Sequence, residues 1–125
     1  MSPTQRTLRH LRGQGFHADI CERFIAQAGI RRDLFGFADL CAFDDREVIL
    51  VQCCAASSMS ARIAKIAASE CAPLWLKSPR RAIWVVGWRK YAAQVDRRFW
   101  RPRIEIFEDA DILTGKTREI IRAEQ

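Results

Sequence analysis

The sequence predicts a single mixed α/β domain, in which helices flank a central sheet of mixed strand direction. Two apolar segments, 48–55 and 82–87, are typical of buried strands, and the segment between them has helical spacing. A strand, a helix and a strand in this order imply a right-handed parallel crossover. A polar turn at 44–47 also joins the first of these strands to an earlier apolar run, which is typical of an antiparallel hairpin.

The first part of the chain predicts two helices. Thr4 can cap a short helix that runs to about Arg12, after which two glycines interrupt the pattern. A second helix is predicted over residues 17–28, and Gly29 is a suitable residue to end it. Four apolar residues recur there at the spacing of one helix face, namely Cys21, Phe24, Ile25 and Ala28.

The middle of the chain predicts the strands and helix of the central sheet. Residues 31–36 form a loop or a first short strand, and residues 37–43 form the strand that precedes the polar turn. The continuous apolar start of 48–55 indicates a central strand that is covered on both faces. A third helix is predicted over 60–71, before the buried strand at 82–87.

The last part of the chain predicts an edge strand and a short extension. Residues 103–106 alternate polar and apolar side chains, as an edge strand does. Asp109 or Asp111 is suited to open a last short helix. The 125 residues fit one domain, 1–125, with a short C-terminal extension from about residue 109.

Composition excludes several classes of protein. Hydrophobic residues make up 49% of the chain and charged residues 29%, which is too apolar for a disordered protein. No apolar run approaches the roughly 20 residues of a membrane helix, and the N-terminus lacks the apolar core of a signal peptide. The five cysteines include no C-x-x-C pair, which argues against a zinc knuckle and a disulfide framework. We therefore expect a cytoplasmic protein with no membrane partner.

Positive charge is concentrated in one segment of the chain. The formal charge is +6, and residues 77–103 contain nine lysines or arginines against one acid, Asp96. Arginine predominates there, and its planar guanidinium group suits bidentate contact with phosphate. The segment predicts a surface that binds a phosphate backbone, the alternative being a solvated basic face with no partner.

The predicted hairpin places two oxygen ligands opposite each other. If the turn is centred on Asp45 and Arg46, Asp39 falls opposite Gln52 on the same face of the sheet. Opposed Cβ atoms lie roughly 5 Å apart, so the two side chains are able to hold one hard cation through oxygen. Asp39 also interrupts an apolar run, and a buried carboxylate is costly unless it is paired or metal-bound. In the alternative reading, the two side chains only bond each other at a sheet margin.

Further charged residues are expected to converge on the same place. Glu22 lies in the predicted second helix, which must pack near the sheet. Lys65 lies in the helix that follows the Gln52 strand, with Arg62 one turn earlier on the same stripe. A cation at that position is able to stabilise the negative charge of a phosphoryl group. The alternative for Lys65 is a plain surface residue.

Three segments together resemble a known family. They are RRDLFGFADL at 31–40, VQCC at 51–54 and SARIAKI at 60–66. The sequence is similar to the PD-(D/E)XK nuclease superfamily, and more narrowly to small phage and bacterial proteins related to resolvase-like and VRR-type nucleases. The resemblance covers about residues 5–90. It implies a restriction-endonuclease-like αβββαβ core, phosphodiester hydrolysis dependent on Mg²⁺ (or Mn²⁺), and a nucleic-acid substrate.

The resemblance also implies roles for individual residues. By position, Glu22 matches the family's helical glutamate and Asp39 its metal-binding aspartate. Gln52 stands at the second-strand acid, so the implied metal ligands are Asp39, Glu22 and Gln52. Cys54 stands where the family has its lysine, and Lys65 is the candidate replacement from the following helix. Seven cations are assigned to nucleic-acid contact, namely Arg31, Arg32, Arg62, Arg80, Arg81, Arg89 and Lys90.

Three functions from different classes follow from these observations. The first is a metal-dependent nuclease that hydrolyses DNA, including structured or branched DNA, with Glu22, Asp39, Gln52 and Lys65 as its catalytic residues. The second is a catalytically inactive nucleic-acid-binding module on the same fold. The third is a protein-interaction domain whose basic face binds an acidic partner. The assembly is open between a monomer and a homodimer.

Overall fold

A computed structural model describes residues 1–93, 97–108 and 118–121 of the chain. The described part contains three α-helices, which are α1 (Pro3–Gly13), α2 (Met59–Ala67) and α3 (Cys71–Trp75). Its strands are β1 (His17–Ile20), β2 (Arg23–Ile25), β3 (Ile30–Arg32), β4 (Leu40–Phe43), β5 (Val48–Ala55), β6 (Arg81–Ala93), β7 (Arg97–Phe107) and β8 (Arg118–Ile121). One turn of 3-10 helix, Ala56–Ser58, connects β5 to α2.

Six of the strands form one mixed sheet, in the order β1-β4-β5-β6-β7-β8. Strands β5 and β6 run parallel, and every other neighbouring pair is antiparallel. Helices α2 and α3 connect the two parallel strands, as the sequence predicts. Strands β2 and β3 form a separate hairpin between β1 and β4 in the chain. The predicted α/β class, with helices flanking a mixed sheet, is confirmed.

Each face of the sheet has its own hydrophobic core. Helix α1 packs Leu8 and Leu11 on the face formed by the odd-numbered residues of β5. Helix α2 packs Ile66 on the opposite face, with the even-numbered residues of β5. A hydrogen bond from Trp88 Nε1 to Thr7 Oγ1 (2.9 Å) joins β6 to α1 inside the first core. Strand β5 is therefore covered on both faces, as its apolar sequence predicts.

The hairpin of β4 and β5 has the predicted register. Leu40 pairs with Val51, and each later pair follows in step toward the turn. Asp44 stabilises this turn, because its Oδ1 accepts hydrogen bonds from the backbone N–H of Arg46 (2.8 Å) and of Glu47 (2.9 Å). These N–H groups lower the pKa of Asp44. The turn residues thus determine which residues of the two strands face each other.

Strand β1 forms one edge of the sheet, and side chains bond two of its outward polar groups. The Cys21 N–H donates inward, to the segment before β4 (2.9 Å), so the alternate residues Ala18 and Ile20 direct their backbone groups outward. The Ala18 carbonyl accepts a hydrogen bond from Arg12 Nη2 (2.9 Å). The Ile20 N–H donates to Asp19 Oδ1 (2.9 Å).

The predicted helix over residues 17–28 is wrong, because β1 and β2 occupy this segment. Strand β1 pairs with β4, which satisfies backbone groups that a helix would leave unpaired on the outer side of β4. Phe24 and Ala28 are exposed, so the helical spacing of apolar residues does not correspond to a buried face. Gly29, with φ of +64°, lies in the tight connection of the β2–β3 hairpin and does not end a helix.

Other predicted boundaries need smaller corrections. The helix predicted over 60–71 ends at Ala67, and α3 is separate, since Pro73 lacks the N–H that a continuous helix needs. The strand predicted over 37–43 begins only at Leu40. The segment 103–106 is no edge strand, because β7 pairs with both β6 and β8 there.

The predictions for the two ends of the chain have different outcomes. The first helix is confirmed as α1, although the cap is Ser2, whose Oγ accepts from the Gln5 N–H (3.1 Å). The last short helix, predicted to open at Asp109 or Asp111, lies outside the described residues. Within the described ranges, no helix has the length and apolar character that crossing a membrane requires.

Gly87 of β6 allows close packing beneath the start of α2. A Cβ atom at this position would overlap the side chain of Met59 and lie 2.9 Å from Ala56 Cα. The connection between β5 and α2 therefore approaches the sheet closely only because residue 87 has no side chain.

We expect Gly87→Ala to lower the free energy of unfolding by about 1–3 kcal/mol, the usual effect of overpacking. Urea unfolding followed by tryptophan fluorescence measures this change. Gly13→Ala is the control, since the space around a Cβ at Gly13 is open. Equal stability of Gly87→Ala and the unmodified protein would contradict the packing described for β6.

Candidate metal centre

Asp39 is a buried carboxylate that the backbone holds from several sides. It lies directly before β4, where its N–H donates to the Val51 carbonyl (2.8 Å) and its carbonyl accepts from the Cys21 N–H (2.9 Å). Its side-chain Oδ2 accepts from Gln52 Nε2 (2.7 Å) and from the Cys53 N–H (2.8 Å). The structure thus brings together the two side chains that the hairpin register predicts to meet.

Two further carboxylates lie beside Asp39. One oxygen each of Glu22, Asp33 and Asp39 lies within 4.8 Å of the others, and we call these three residues the carboxylate cluster. Glu22 follows the end of β1, which the Cys21 backbone bond attaches to Asp39. Asp33 opens a tight turn, in which its carbonyl accepts from the Gly36 N–H (3.1 Å). Three segments of the chain therefore deliver one carboxylate each.

Glu22 reaches the carboxylate cluster from a different element than predicted. The resemblance implies a helical glutamate, whereas Glu22 lies in the connection between β1 and β2. Helix α1, the first helix of the chain, contains no acidic residue. The residue meets Asp39 because β1 ends beside the segment that precedes β4.

The carboxylate cluster is electrostatically unfavourable for Asp39. Burial raises the pKa of Asp39 to about 7, against the opposing effect of the Cys53 N–H bond. The negative charges of Asp33 and Glu22 raise this pKa further. A carboxylate in these surroundings is stabilised by a bound cation or by a proton.

Gln52, whose side-chain amide contacts Asp39, has an oxygen without a partner among the described residues. Its side chain is only 1% exposed, and its Nε2 donates to Asp39. Its Oε1 has no hydrogen-bond partner among the described residues. This oxygen is bonded to the same carbon as Nε2, which lies 2.7 Å from Asp39 Oδ2. A buried carbonyl oxygen without a donor is a ready ligand for a cation.

Helix α2 contributes two positive charges to the same region. Lys65 Nζ lies 3.7 Å from Asp33 Oδ2, so Lys65 is not an isolated surface residue. Arg62 lies near Cys54, whose thiol pKa it lowers, although burial dominates and raises that pKa to about 11. Cys54 is therefore a neutral thiol, and the positive charges come from the helix.

The other predicted nucleic-acid contacts lie in three separate regions. Arg31 and Arg32 lie on β3, and Arg31 Nη1 is 3.4 Å from Glu22 Oε1. Arg80 and Arg81 lie at the beginning of β6 and are exposed. Arg89 and Lys90 are exposed near the opposite end of β6, at least eight residues farther along this strand. Eight residues of a strand span roughly 26 Å, so these pairs belong to different regions of the surface.

Asp33 is the site residue that the sequence reasoning missed. It lies in the segment RRDLFGFADL, but the resemblance assigns no role to it, and the segment is predicted only as a loop or a short strand. One signal was present, since Asp33 follows two arginines and precedes the Phe35–Gly36 turn that folds the chain back to Asp39.

Comparison of the chain with protein-family models, with curated proteins and with solved structures finds no match. The chemistry of the carboxylate cluster is therefore interpreted from its own geometry.

We expect Asp39→Ala and Asp39→Asn to differ strongly in stability. The alanine variant leaves the Cys53 N–H and the Gln52 amide without their acceptor, and each buried unsatisfied donor costs about 1–3 kcal/mol. The asparagine variant keeps an acceptor oxygen and removes a buried charge. Urea unfolding in EDTA is expected to show a large loss in the free energy of unfolding for the alanine variant only. Equal losses for both variants would mean that the charge itself supports the fold.

Proposed function

We propose that this protein is a metal-dependent nuclease that hydrolyses phosphodiester bonds in DNA. The observation that carries the proposal is the convergence of Glu22, Asp33 and Asp39 within 4.8 Å, beside the ammonium group of Lys65. Carboxylates that hold a divalent cation, next to a cation that faces substrate, are the arrangement that phosphoryl chemistry requires.

The residues present fit Mg²⁺ or Mn²⁺. Both are hard cations that prefer oxygen ligands. The carboxylate cluster offers three carboxylates, and the Oε1 of Gln52 has no hydrogen-bond partner among the described residues. Burial and the negative charges of Asp33 and Glu22 raise the pKa of Asp39, and a bound divalent cation would offset both effects. Glu22, Asp39 and Gln52 are therefore the proposed ligands, to which the geometry adds Asp33. When bound, the divalent cation acts as a Lewis acid toward the phosphate and lowers the pKa of a coordinated water.

The side chains of the protein have separate tasks in this proposal. Asp39 is held by two donors at its Oδ2, so its position changes little when substrate binds. Lys65 is directed toward Asp33 and is available to bind a non-bridging phosphate oxygen. Arg62, one turn earlier on α2, adds a second positive charge on the same side. Cys54 is a neutral thiol without a positive charge, so it does not replace the lysine that the resemblance implies.

The order of elements supports the restriction-endonuclease-like core. Elements α1, β1, β4, β5, α2 and β6 follow one another as αβββαβ, with the β2–β3 hairpin inserted after the first strand. In that order Asp39 precedes the second strand and Gln52 lies in the third. The resemblance assigns the metal-binding aspartate to Asp39 and the acid of the second hairpin strand, here β5, to Gln52.

A basic two-stranded arm supports DNA as the substrate. Strand β5 ends opposite Trp88, but β6 and β7 continue to pair with each other beyond it. Arg89, Lys90 and Arg101 are exposed on this arm. A two-stranded ribbon fits the major groove of DNA, and its cations neutralise backbone phosphates.

One observation favours a second candidate function. Gln52 and Cys54 carry no charge where the resemblance implies an acid and a lysine. A nucleic-acid-binding module that no longer cuts DNA would have this pattern. The two candidates differ in whether a divalent metal produces cleavage.

We expect Asp39→Asn to abolish divalent-metal binding and DNA cleavage while the fold is retained. The variant removes the central anionic ligand of the carboxylate cluster, and Mg²⁺ is held weakly unless several carboxylates and substrate phosphate contribute. Isothermal titration with Mn²⁺ and a plasmid-nicking assay measure the two effects. Asp45→Asn is the matched control, because Asp45 is an exposed acid in the hairpin turn. Undiminished cleavage by Asp39→Asn would remove Asp39 from the mechanism.

Assays on the wild-type protein distinguish the nuclease from the inactive binding module. Cleavage of duplex, branched or single-stranded DNA only with Mg²⁺ or Mn²⁺ supports the nuclease. DNA binding without cleavage under every one of these conditions supports the inactive module.

We expect the affinity for DNA to fall steeply as salt rises, because bound cations release counterions from the phosphate backbone. The loss is expected to be similar for different sequences, since phosphate contacts carry no base information. Fluorescence anisotropy at increasing NaCl concentration measures the slope. An affinity that does not change between low and physiological salt would contradict a phosphate-binding surface.

A further inference from the structure

A cavity of about 260 Å³ lies between the turn that follows Asp33 and helix α3. Its lining residues are Phe35, Cys71, Leu74, Trp75 and Arg81. The cavity is smaller than the roughly 300–1,000 Å³ of pockets for drug-sized ligands. Its size and its aromatic walls suit one planar ring system.

Phe35, which lines this cavity, is held in an unfavourable backbone conformation. Its φ is +56°, and it is the only residue besides glycine with a positive φ in the described part of the chain. Phe35 and Gly36 are the central residues of a tight turn closed by a bond from the Phe37 N–H to the Leu34 carbonyl (3.2 Å). Asparagine and glycine are the residues that such turns favour. A bulky residue kept in this conformation indicates a function for its ring.

The lining of the cavity also combines a fixed indole with a guanidinium group. Trp75 Nε1 donates to the Ala82 carbonyl (2.9 Å), which anchors the ring to β6. The guanidinium carbon of Arg81 lies 5.3 Å from the centre of the Trp75 ring. Arginine stacked on an aromatic ring is able to donate hydrogen bonds in the plane of a base. Leu74, also exposed, extends the apolar wall.

The cavity lies within reach of a strand bound at the carboxylate cluster. Phe35 is only two residues beyond Asp33 in the same turn. Gln52 pairs with Val85, four residues along β6 from Arg81, or roughly 13 Å. At the 3.4 Å rise of a stacked nucleotide, this distance corresponds to about four nucleotides.

We propose that this cavity binds one unpaired nucleobase of the DNA strand, with Phe35 and Trp75 as stacking surfaces and Arg81 as hydrogen-bond donor. The inference rests on the proposed function, because the strand that supplies the base is the proposed substrate. Stacking of bases on aromatic side chains is the main sequence-tolerant contact to single-stranded nucleic acid. The site would direct cleavage toward DNA with an unpaired base near the scissile phosphate.

The test compares two labelled single strands of equal length, one of thymidylates and one of abasic nucleotides, in EDTA. The wild-type protein is expected to bind the base-bearing strand more tightly. Phe35→Asn is expected to weaken this binding by roughly five- to a hundredfold, the range for loss of one stacked base, and to leave the abasic strand unaffected. Phe35→Trp, which retains a stacking ring, is expected to keep the preference.

Thermal unfolding separates this role from a structural one. Asparagine adopts a positive φ readily, so Phe35→Asn is expected to unfold at the same temperature or higher. Phe35→Gly is a second variant with the same expectation. Phe43→Ala is the matched control, because Phe43 is 50% exposed against 51% for Phe35 and lies outside the cavity. It is expected to leave the preference for bases unchanged.

Two results would overturn the inference. One is equal affinity of the wild-type protein for the base-bearing and abasic strands. The other is a fall in melting temperature of both Phe35 variants, with equal loss of binding to both strands. Neither result depends on metal or cleavage. Failure of the nuclease proposal would instead appear as absent metal-dependent cleavage, with the Phe35-dependent preference for bases intact.

Discussion

The register of the β4–β5 hairpin is the constraint on which the rest of this structure depends. The Asp44 side chain accepts two backbone hydrogen bonds in the turn. The strand pairing that follows places Asp39 beside the side chain of Gln52. A slip by one residue would turn Asp39 toward the other face of the sheet. It would then lie against the core that α1 covers, far from Lys65 and the other acids. One short turn therefore determines whether the carboxylate cluster exists.

The parts of this arrangement that depend on short, regular patterns could be predicted from the sequence. Alternation in a strand has a period of two, and a polar turn of known length leaves one pairing for Asp39 and Gln52. The apolar run of β5 and the helix after it are equally regular, so the parallel crossover and the approach of Lys65 also follow. These predictions need no knowledge of distant segments.

The segments between α1 and β4 could not be predicted in the same way. Four apolar residues at helical spacing are also compatible with two short strands. The strands form here because β1 pairs with the otherwise unpaired edge of β4. Asp33 reaches the carboxylate cluster through a turn whose Phe35 has an atypical conformation, which no propensity indicates. The sequence predicts Glu22 on a helix, yet this residue reaches the cluster because β1 ends next to Asp39. Tertiary contacts therefore determine the structure of these segments.

The bonded outer side of β1 has a consequence for the behaviour of the protein in solution. An edge strand with open N–H and C=O groups is a template for the strand of another molecule, and that is a common route to aggregation. In β1, Arg12 covers the outward carbonyl of Ala18, and Asp19 covers the outward N–H of Ile20. An incoming strand would have to displace two charged side chains before it could bond these two groups. This edge is thereby protected against polymerisation by strand addition, even though Ile20 is exposed there.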